Sequence, residues 1–199
     1  MSHAPIVFAL LAAGASRRFG EADKLMATLG DAPLIARAGG LLAGRPGIVR
    51  VAIVPPGPGA RRTWLEAAGW QLQENPDAAA GQGTSVACAA RAATGLKAPA
   101  LLIALADMPC VREATLDRLI AAMDDHEAAM CRGPEALQPP AIFGARAFGR
   151  LQALSGDRGA RGVFDALGQT REIPLAAHEA LDIDTPAELA AIEKDAAHA

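Results

Sequence analysis

The residues best suited to chemistry follow the first apolar run of the chain. That run, residues 6–13, ends at Gly14, and the loop from there to Lys24 carries two glycines, two arginines and the lysine. Glycine lets backbone amides approach and cradle phosphate oxygens, while the cations offset roughly three to four negative charges. The spacing matches neither a Walker P-loop nor a dinucleotide-binding GxGxxG. We interpret the loop as a polyphosphate site, the alternative being a solvated loop with a chance excess of arginine.

The scarcity of lysine makes its placement informative. The 199 residues include 19 basic side chains, of which only Lys24, Lys97 and Lys194 are lysines. A net charge of -3 is too weak for an electrostatic grip on nucleic acid and excludes a polybasic membrane-binding protein. Tyrosine is absent and aromatic residues total 4%, which argues against a platform that stacks single-stranded bases.

The cysteines and the first residues predict a reduced, soluble protein. Cys88, Cys110 and Cys131 are odd in number and form no CxxC pair, so we expect neither a disulfide framework nor a zinc site, only buried small side chains. The chain begins without the features of a signal peptide, and its first apolar run is too short to span a bilayer. A cytoplasmic location is expected.

Strands and helices alternate along the chain. Apolar runs at 6–13, 50–54 and 100–106 lack alternation, which is typical of strands buried on both faces of a parallel sheet. The pattern predicts an α/β fold: a three-layer, Rossmann-like, mostly parallel sheet with helices on both faces. Further strands are predicted at 70–73, 128–131, 140–143, 171–174 and 180–183. Helices are predicted at 33–42, 61–68, 84–93, 113–123, 147–154, 160–167 and from residue 185, and a loop or edge insertion at 133–140.

The first loop resembles the signature LAxGxSxRxGxxK, with a variable gap before the lysine. This signature belongs to the nucleotidyltransferases of the molybdenum-cofactor type, the MobA-like family, whose sheet is of the nucleotide-diphospho-sugar transferase type. Ala13 makes the start LAAG, which is typical of the cytidylyl-transferring (MocA-like) branch, whereas LAGG is typical of the guanylyl-transferring branch. The matching residues are Leu11, Ala12, Gly14, Ser16, Arg18, Gly20 and Lys24.

A second glycine-rich segment, residues 81–85, precedes a predicted helix. Its sequence predicts a helix N-terminus with Thr84 or Ser85 as the cap and free amides that face a ligand. The alternative is a plain cap with a flexible lead-in. In the family this segment lies along the base and ribose, and the resemblance therefore adds Gly83 and Ser85 to the nucleotide-binding residues of the first loop.

Two aspartates are the predicted ligands of Mg²⁺. Asp107 follows a buried strand in a DMP sequence like that of the family, and a carboxylate at this edge of a sheet suits a hard cation. The segment from Asp182 to Pro186 resembles the closing motif of the branch, which implies Asp184 as second ligand and Asp182 as the reserve choice. The alternatives are an N-cap region at Asp107 and support of the helix dipole by Asp184. A capping box starts at Thr185.

The acceptor side is less well matched. The segment 155–161 is similar to a family motif that borders the acceptor pocket, which implies Asp157 and Arg161 as acceptor-binding residues. The cytidylyl branch usually has His or Asn before Pro in the loop that faces the acceptor, and here that position is Pro139.

We expect a single domain, with a nucleotide-binding part at about 1–110 and an acceptor-binding part at about 111–199.

The resemblance implies transfer of CMP from CTP to the phosphate of molybdopterin, with release of pyrophosphate. Arg18, Lys24 and Asp107 would be the catalytic residues, and the two cations would offset charge on the leaving pyrophosphate. The expected partners are CTP, a phosphate-bearing acceptor and a molybdoenzyme or its chaperone. Two alternatives stay open: transfer to a sugar phosphate or another small phosphate, and a nucleotide-binding regulator or cofactor chaperone without turnover.

Overall fold

A seven-stranded sheet forms the centre of the computed structural model, which describes residues 4–14, 19 and 23–196. The strand order is β5-β4-β1-β6-β8-β7-β9, and only β8 runs antiparallel to its neighbours. A separate two-stranded hairpin follows the first loop. The strands are β1 Ile6–Leu11, β2 Thr28–Leu29, β3 Ala32–Pro33, β4 Ile48–Val54, β5 Gln71–Glu74, β6 Ala100–Leu105, β7 Ala128–Arg132, β8 Leu137–Gly144 and β9 Thr170–Pro174.

Helices cover both faces of the sheet because its central strands are apolar on both sides. Side chains alternate along β1, so Phe8 and Leu10 point into one core and Val7 and Ala9 into the other. α1, α2, α4 and α7 pack on the first face, and α3, α5 and α6 on the second. The α/β prediction is confirmed. The helices are α1 Leu34–Gly40, α2 Ala60–Ala67, α3 Gln82–Gly95, α4 Glu113–Ala122, α5 Phe148–Gln152, α6 Arg161–Asp165 and α7 Pro186–Ala196.

The order of the strands creates a crevice beside β1. The chain leaves β1 for β4 and β5 on one side and then returns to β6 on the other, with Leu11 paired to Leu105 at the carboxyl ends. Ligands of open α/β sheets bind at such a switch point. The first loop follows β1 and Asp107 follows β6, so both lie at this crevice.

Residues 133–140 are not the predicted loop. Only a short turn precedes β8, which begins at Leu137 and lies between β6 and β7 inside the sheet. Consecutive prolines normally argue against an interior strand because they cannot donate to the ladder. The register of β7 and β8 shifts between Met130 and Cys131, and this irregularity accommodates Pro139 and Pro140.

The predicted strand at 180–183 does not form. This segment runs irregularly across the carboxyl end of the sheet, where Ile183 is buried and its amide donates to the Asp107 carbonyl at 2.9 Å. The capping box that follows is confirmed: the Glu188 amide donates to Thr185 Oγ1 at 3.3 Å, and Glu188 Oε2 accepts from the Thr185 amide at 2.8 Å.

The three cysteines are free thiols, as expected. Cys88 and Cys131 are buried, whereas Cys110 is only partly buried, so the expectation of burial is wrong for that one residue.

No helix in the described ranges combines the length and the apolar character that crossing a membrane requires.

Candidate active site

A lysine and two carboxylates meet at the carboxyl end of β1 and β6. Lys24 Nζ lies 2.8 Å from Asp107 Oδ2 and 3.0 Å from Asp184 Oδ1. Lys24 begins a short 3-10 turn, Asp107 follows β6, and Asp184 precedes α7. Three of the residues singled out from the sequence are thus brought together, although Asp107 and Asp184 follow Lys24 by 83 and 160 positions along the chain.

The two carboxylates keep the buried lysine charged. Burial by itself would lower the pKa of Lys24, but the charges and hydrogen bonds of Asp107 and Asp184 outweigh it and raise the pKa above its ordinary value. Partial removal from water, together with the negative charges of Asp107 and Asp184, raises the pKa of the nearby Asp182. Asp182 is thus close to the cluster, whereas the carboxylates that hydrogen-bond to Lys24 are those of Asp107 and Asp184.

The cluster suits a divalent cation by its donor chemistry. The Asp107 and Asp184 carboxylates converge on the Lys24 ammonium group. Carboxylate oxygens are also the ligands that Mg²⁺ prefers. Within the described part of the chain, no group of three or more acidic, histidine or cysteine side chains is arranged to hold a metal. The ion would therefore take two protein ligands and rely on phosphate and water for the rest, as Mg²⁺ commonly does.

A cleft of about 390 Å³ opens beside this cluster. It is lined by the start of the first loop, by the lead-in to α3, and by Lys24 and Asp107. We call it the main cleft. Of the predicted site residues, those that line it are Leu11, Ala13, Gly14, Lys24, Ser85, Asp107 and Asp157.

Three predicted residues of the first loop, Ser16, Arg18 and Gly20, lie outside the described residues. Their predicted contacts with phosphate therefore stay predictions. Ala12 is described, but it is buried behind the cleft wall, and its carbonyl accepts a hydrogen bond from Arg61.

The start of α3 differs from the predicted cap. The helix begins at Gln82 with Gly81 as N-cap, so Thr84 and Ser85 lie inside its first turn and neither of them is the cap. Thr84 Oγ1 instead donates back to the Gly81 carbonyl at 2.8 Å. The Gly83 amide is not free for a ligand, because it donates to the Gly156 carbonyl at 2.8 Å.

Glycine is required here by close packing rather than by flexibility. A Cβ on Gly83 would lie 2.6 Å from the Arg158 carbonyl oxygen, and one on Gly81 would overlap Asp157 and the Gly156 backbone. Gly81 also has φ +122°, which L side chains rarely adopt. These glycines hold the 155–158 loop against α3 and place Asp157 in the main cleft.

Asn75 is a site residue that the sequence analysis missed. Its side chain is buried and donates to Thr84 Oγ1 at 2.9 Å and to Ser85 Oγ at 3.0 Å, which fixes Ser85 on the cleft wall. The Asn75-Pro76 pair indicates a turn, and nothing in it distinguishes a buried asparagine from an exposed one.

Arg61 and Asp23 form a second contact that the sequence analysis missed. The Arg61 guanidinium is buried and binds both carboxylate oxygens of Asp23, at 2.7 Å and 2.6 Å. It also donates to the carbonyls of Ala12 and Gly14. A basic residue in the first turn of a helix is disfavoured by the helix dipole. This unfavourable position is the one local signal in the sequence that could have indicated a special role for Arg61.

The two predicted acceptor residues face different spaces. Asp157 lines the main cleft, whereas Arg161 lines a smaller neighbouring cavity of about 160 Å³. Most side chains of this cavity are apolar, and Pro139 and Gln138 lie at its wall. We call it the apolar cavity. Leu11 and Gln82 line both spaces, so the two adjoin.

The fold and this site define a protein of the nucleotidyltransferase class. Residues 8–172 match the model of the MobA-like NTP transferase domain, and the chain belongs to that family. The Purine catabolism protein PucB of Bacillus subtilis is 34% identical over 60% of this chain. The Phosphoenolpyruvate guanylyltransferase of Sphaerobacter thermophilus is 38% identical over 51% of this chain. The matched parts span 59% and 49% of these relatives, so the chain spans about half their length.

Solved structures share the fold at low sequence identity. The mycobacterial Rv0371c homolog from strain JC1 superimposes with a TM-score of 0.80 and 23% identity over 99% of both chains. Rv0371c of Mycobacterium tuberculosis in complex with manganese has a TM-score of 0.69 and 22% identity, over 96% of this chain and 98% of that one. CMP:2-keto-3-deoxy-manno-octonic acid synthetase in complex with CTP has a TM-score of 0.72 and 14% identity over 99% of both.

Proposed function

We propose that the protein transfers CMP from CTP to the phosphate group of a small acceptor, with molybdopterin as the favoured acceptor. The observation that carries the proposal is the meeting of Lys24, Asp107 and Asp184, of which Lys24 and Asp107 line the main cleft. Family membership supports the nucleotidyltransferase chemistry, and the remainder rests on the residues of this chain.

The reaction is an in-line displacement at the α-phosphorus of CTP. An oxygen of the acceptor phosphate forms the new P–O bond, the bond to the β-phosphate breaks, and pyrophosphate leaves with its electron pair. A phosphate monoester has a second pKa near 6 and is already ionised at pH 7, so no strong general base is needed. Positioning and neutralisation of charge then supply the catalysis.

Lys24 has two tasks in this scheme. Without nucleotide its ammonium offsets part of the negative charge of Asp107 and Asp184, and since it lines the cleft it can also offset charge on the phosphates of a bound nucleotide. Arg18 is proposed to share the second task. Lys24 lies in the cluster because Asp23, the preceding residue, caps the 3-10 turn by accepting from the Leu25 amide at 3.0 Å.

Asp107 and Asp184 are the proposed ligands of Mg²⁺. Such an ion would neutralise phosphate charge and orient the phosphate oxygens. Asp184 is favoured over Asp182 because its carboxylate, like that of Asp107, contacts the Lys24 ammonium group. The manganese complex of Rv0371c supports the use of a divalent cation.

The assignment of cytosine rests on Ala13. This residue lines the main cleft, where the guanylyl-transferring branch usually has glycine, and its methyl group narrows the space for a base. The match to a guanylyltransferase favours GTP as the alternative substrate. The two nucleotides therefore have to be compared directly.

The apolar cavity is the proposed place of the acceptor. It adjoins the main cleft through Leu11 and Gln82 and carries Arg161 at its wall, which suits a molecule with a flat or apolar body and an anionic group. Pro139 gives this cavity an apolar wall where the cytidylyl branch usually has a polar residue. That departure keeps a sugar phosphate or another small phosphate as the alternative acceptor.

The remaining parts of the proposal follow from this assignment. The first 110 residues or so would bind the nucleotide, and the remainder of the domain would bind the acceptor. The product would pass to a molybdoenzyme or its chaperone in the cytoplasm.

Pyrophosphate release tests the acceptor. The protein is incubated with CTP and Mg²⁺ and with molybdopterin or a panel of sugar phosphates, and release should require molybdopterin. Release with a sugar phosphate and none with molybdopterin would exclude the favoured acceptor. Binding of CTP without release in any mixture would instead favour a regulator or chaperone that has no turnover.

A further inference from the structure

Arg61 joins the two ends of the first loop. Its guanidinium Nη1 donates to the carbonyls of Ala12, at 2.6 Å, and Gly14, at 2.9 Å, which lie where the chain leaves β1. Its Nε and Nη2 bind the two oxygens of Asp23, where the chain returns. The side chain is only 10% exposed, so these bonds are made largely out of water.

The helix that carries Arg61 does not by itself favour an arginine at this position. It is the second residue of α2, where the positive end of the helix dipole disfavours a cation. The bidentate pair with Asp23 and the two carbonyls offset that disadvantage. Because these partners lie where the first loop begins and where it ends, the constraint acts on the two ends of the loop.

Two consequences follow for the main cleft. The C=O and N–H of a trans peptide point in opposite directions, so holding the Ala12 carbonyl directs the Ala13 amide away from Arg61. Ala13 and Gly14 line the cleft, so the backbone that Arg61 holds is part of the cleft wall. Holding Asp23 fixes the residue before Lys24 and therefore the point at which that ammonium enters the cleft.

We infer that Arg61, through its pair with Asp23, is a positioning residue that sets the two ends of the first loop, and Lys24 with them, for the triphosphate of the nucleotide. This inference rests on the proposed function, and it makes Arg61 responsible for nucleotide binding without contact to the nucleotide. The pair is expected to act on the triphosphate and not on the acceptor.

The test compares Arg61→Lys with Arg62→Lys. Arg62 is the next residue of α2 and pairs with Glu66 and Glu74 at the surface, away from the first loop, so it matches Arg61 in type and helix. Arg61→Lys keeps the charge but loses the planar fork, and the KM for CTP should rise about tenfold to a hundredfold while the KM for the acceptor stays unchanged. Arg62→Lys should leave both values within twofold of the original.

A purely structural role would give a different result. A variant with a smaller folded fraction shows a lower apparent kcat with both KM values unchanged, and that outcome would overturn the inference. If Arg61→Lys does not fold, as judged by circular dichroism, Asp23→Asn replaces it with the same expected rise in the KM for CTP. An unchanged KM in a folded Asp23→Asn would then overturn the inference.

Binding of tripolyphosphate separates this inference from the proposed function. If the original protein has no turnover with any nucleotide, the proposed function fails, and calorimetry with tripolyphosphate then tests the pair alone. If the dissociation constant for tripolyphosphate is about tenfold to a hundredfold higher in Arg61→Lys than in Arg62→Lys, a positioning role is supported. Equal binding to both, or no binding even to the original protein, overturns it.

Discussion

Lys24 lines the main cleft and is held between two carboxylates. The rarity of lysine and the position after a buried strand identify this residue in the sequence. Its partners in space cannot be identified in the same way, because Asp107 and Asp184 follow other elements and only the fold brings them to Lys24. The motifs singled out these residues, and the structure adds that the lysine and the acidic residues form one cluster.

Lys24→Met tests the role of this cluster in turnover. The variant loses the ammonium, and the rate should fall by about 10²–10³, as on loss of a single donor that stabilises a transition state. The rate is measured as pyrophosphate release at saturating CTP, with circular dichroism to confirm folding. Lys97→Met removes the same charge from an exposed site and should retain the original rate. Near-normal turnover of Lys24→Met would refute the assignment.

Arg61 and Asn75 show where residue types stop being informative. Both are polar side chains that are buried because other parts of the chain satisfy their hydrogen bonds. Arginine in a helix and asparagine before proline are common at surfaces, so their types and neighbours predict exposure. Burial depends on packing against distant segments, and a single sequence does not contain that information.

The cysteines are expected to differ in reactivity. Burial raises the pKa of Cys131 to about 12, and burial also raises the pKa of Cys88 and Cys110. Only the thiolate reacts with iodoacetamide, and at pH 8 the native protein should be modified first at the partly exposed Cys110. Mass spectrometry of peptides measures this, with urea-unfolded protein as the control in which all three react. Labelling of native Cys131 as fast as Cys110 would contradict its described burial.

Among the elements, the parallel strands were the most predictable. Apolar runs without alternation mark β1, β4 and β6, and each predicted run falls within a few residues of the strand that forms. Two segments differ for physical reasons. The strand predicted at 140–143 is the second part of β8, which already begins at Leu137 and tolerates Pro139 and Pro140 through a register shift. Residues 180–183 remain irregular, and the Ile183 amide donates to the Asp107 carbonyl instead of pairing in a strand.

The contact of the 155–158 loop with the start of α3 can be tested with one glycine. Gly81→Ala places a Cβ against Asp157 and the Gly156 backbone at φ +122°, and the free energy of unfolding should fall by about 1–3 kcal/mol. Urea denaturation followed by circular dichroism measures the change. Gly95→Ala, at the other end of α3, meets no atom within 4 Å and should be neutral or slightly stabilising. Equal stability of both variants would contradict the described packing.

At the scale of the whole molecule, topology explains why the predicted residues converge. The first loop and Asp107 follow neighbouring strands, and the reversal of strand order between β1 and β6 opens the crevice that they line. Alternation of strands and helices sufficed to predict that these residues meet at one edge of the sheet. The acceptor side was less predictable, because β8 and the segment around Asp184 depart from regular patterns.

Binding of nucleotide should stabilise the whole domain. A ligand at about 100 times its dissociation constant adds roughly 2.7 kcal/mol to the free energy of unfolding. Thermal melts with Mg²⁺ should therefore show a larger rise in Tm with CTP than with GTP at equal concentration. Ala13→Gly is expected to reduce the difference, while an exposed substitution such as Lys97→Met leaves it unchanged. Equal shifts with CTP and GTP would remove the cytosine assignment.

The most direct test of the central claim follows the phosphorus atoms of CTP. CTP labelled with ³²P at the α-phosphate or at the γ-phosphate is incubated with the protein, Mg²⁺ and the acceptor identified by pyrophosphate release, and the products are separated. Transfer of a nucleotidyl group predicts label in the acceptor product from α-labelled CTP only, and γ-label in pyrophosphate, with both signals lost in Asp107→Asn. Label from γ-labelled CTP in the acceptor or in orthophosphate would contradict the account.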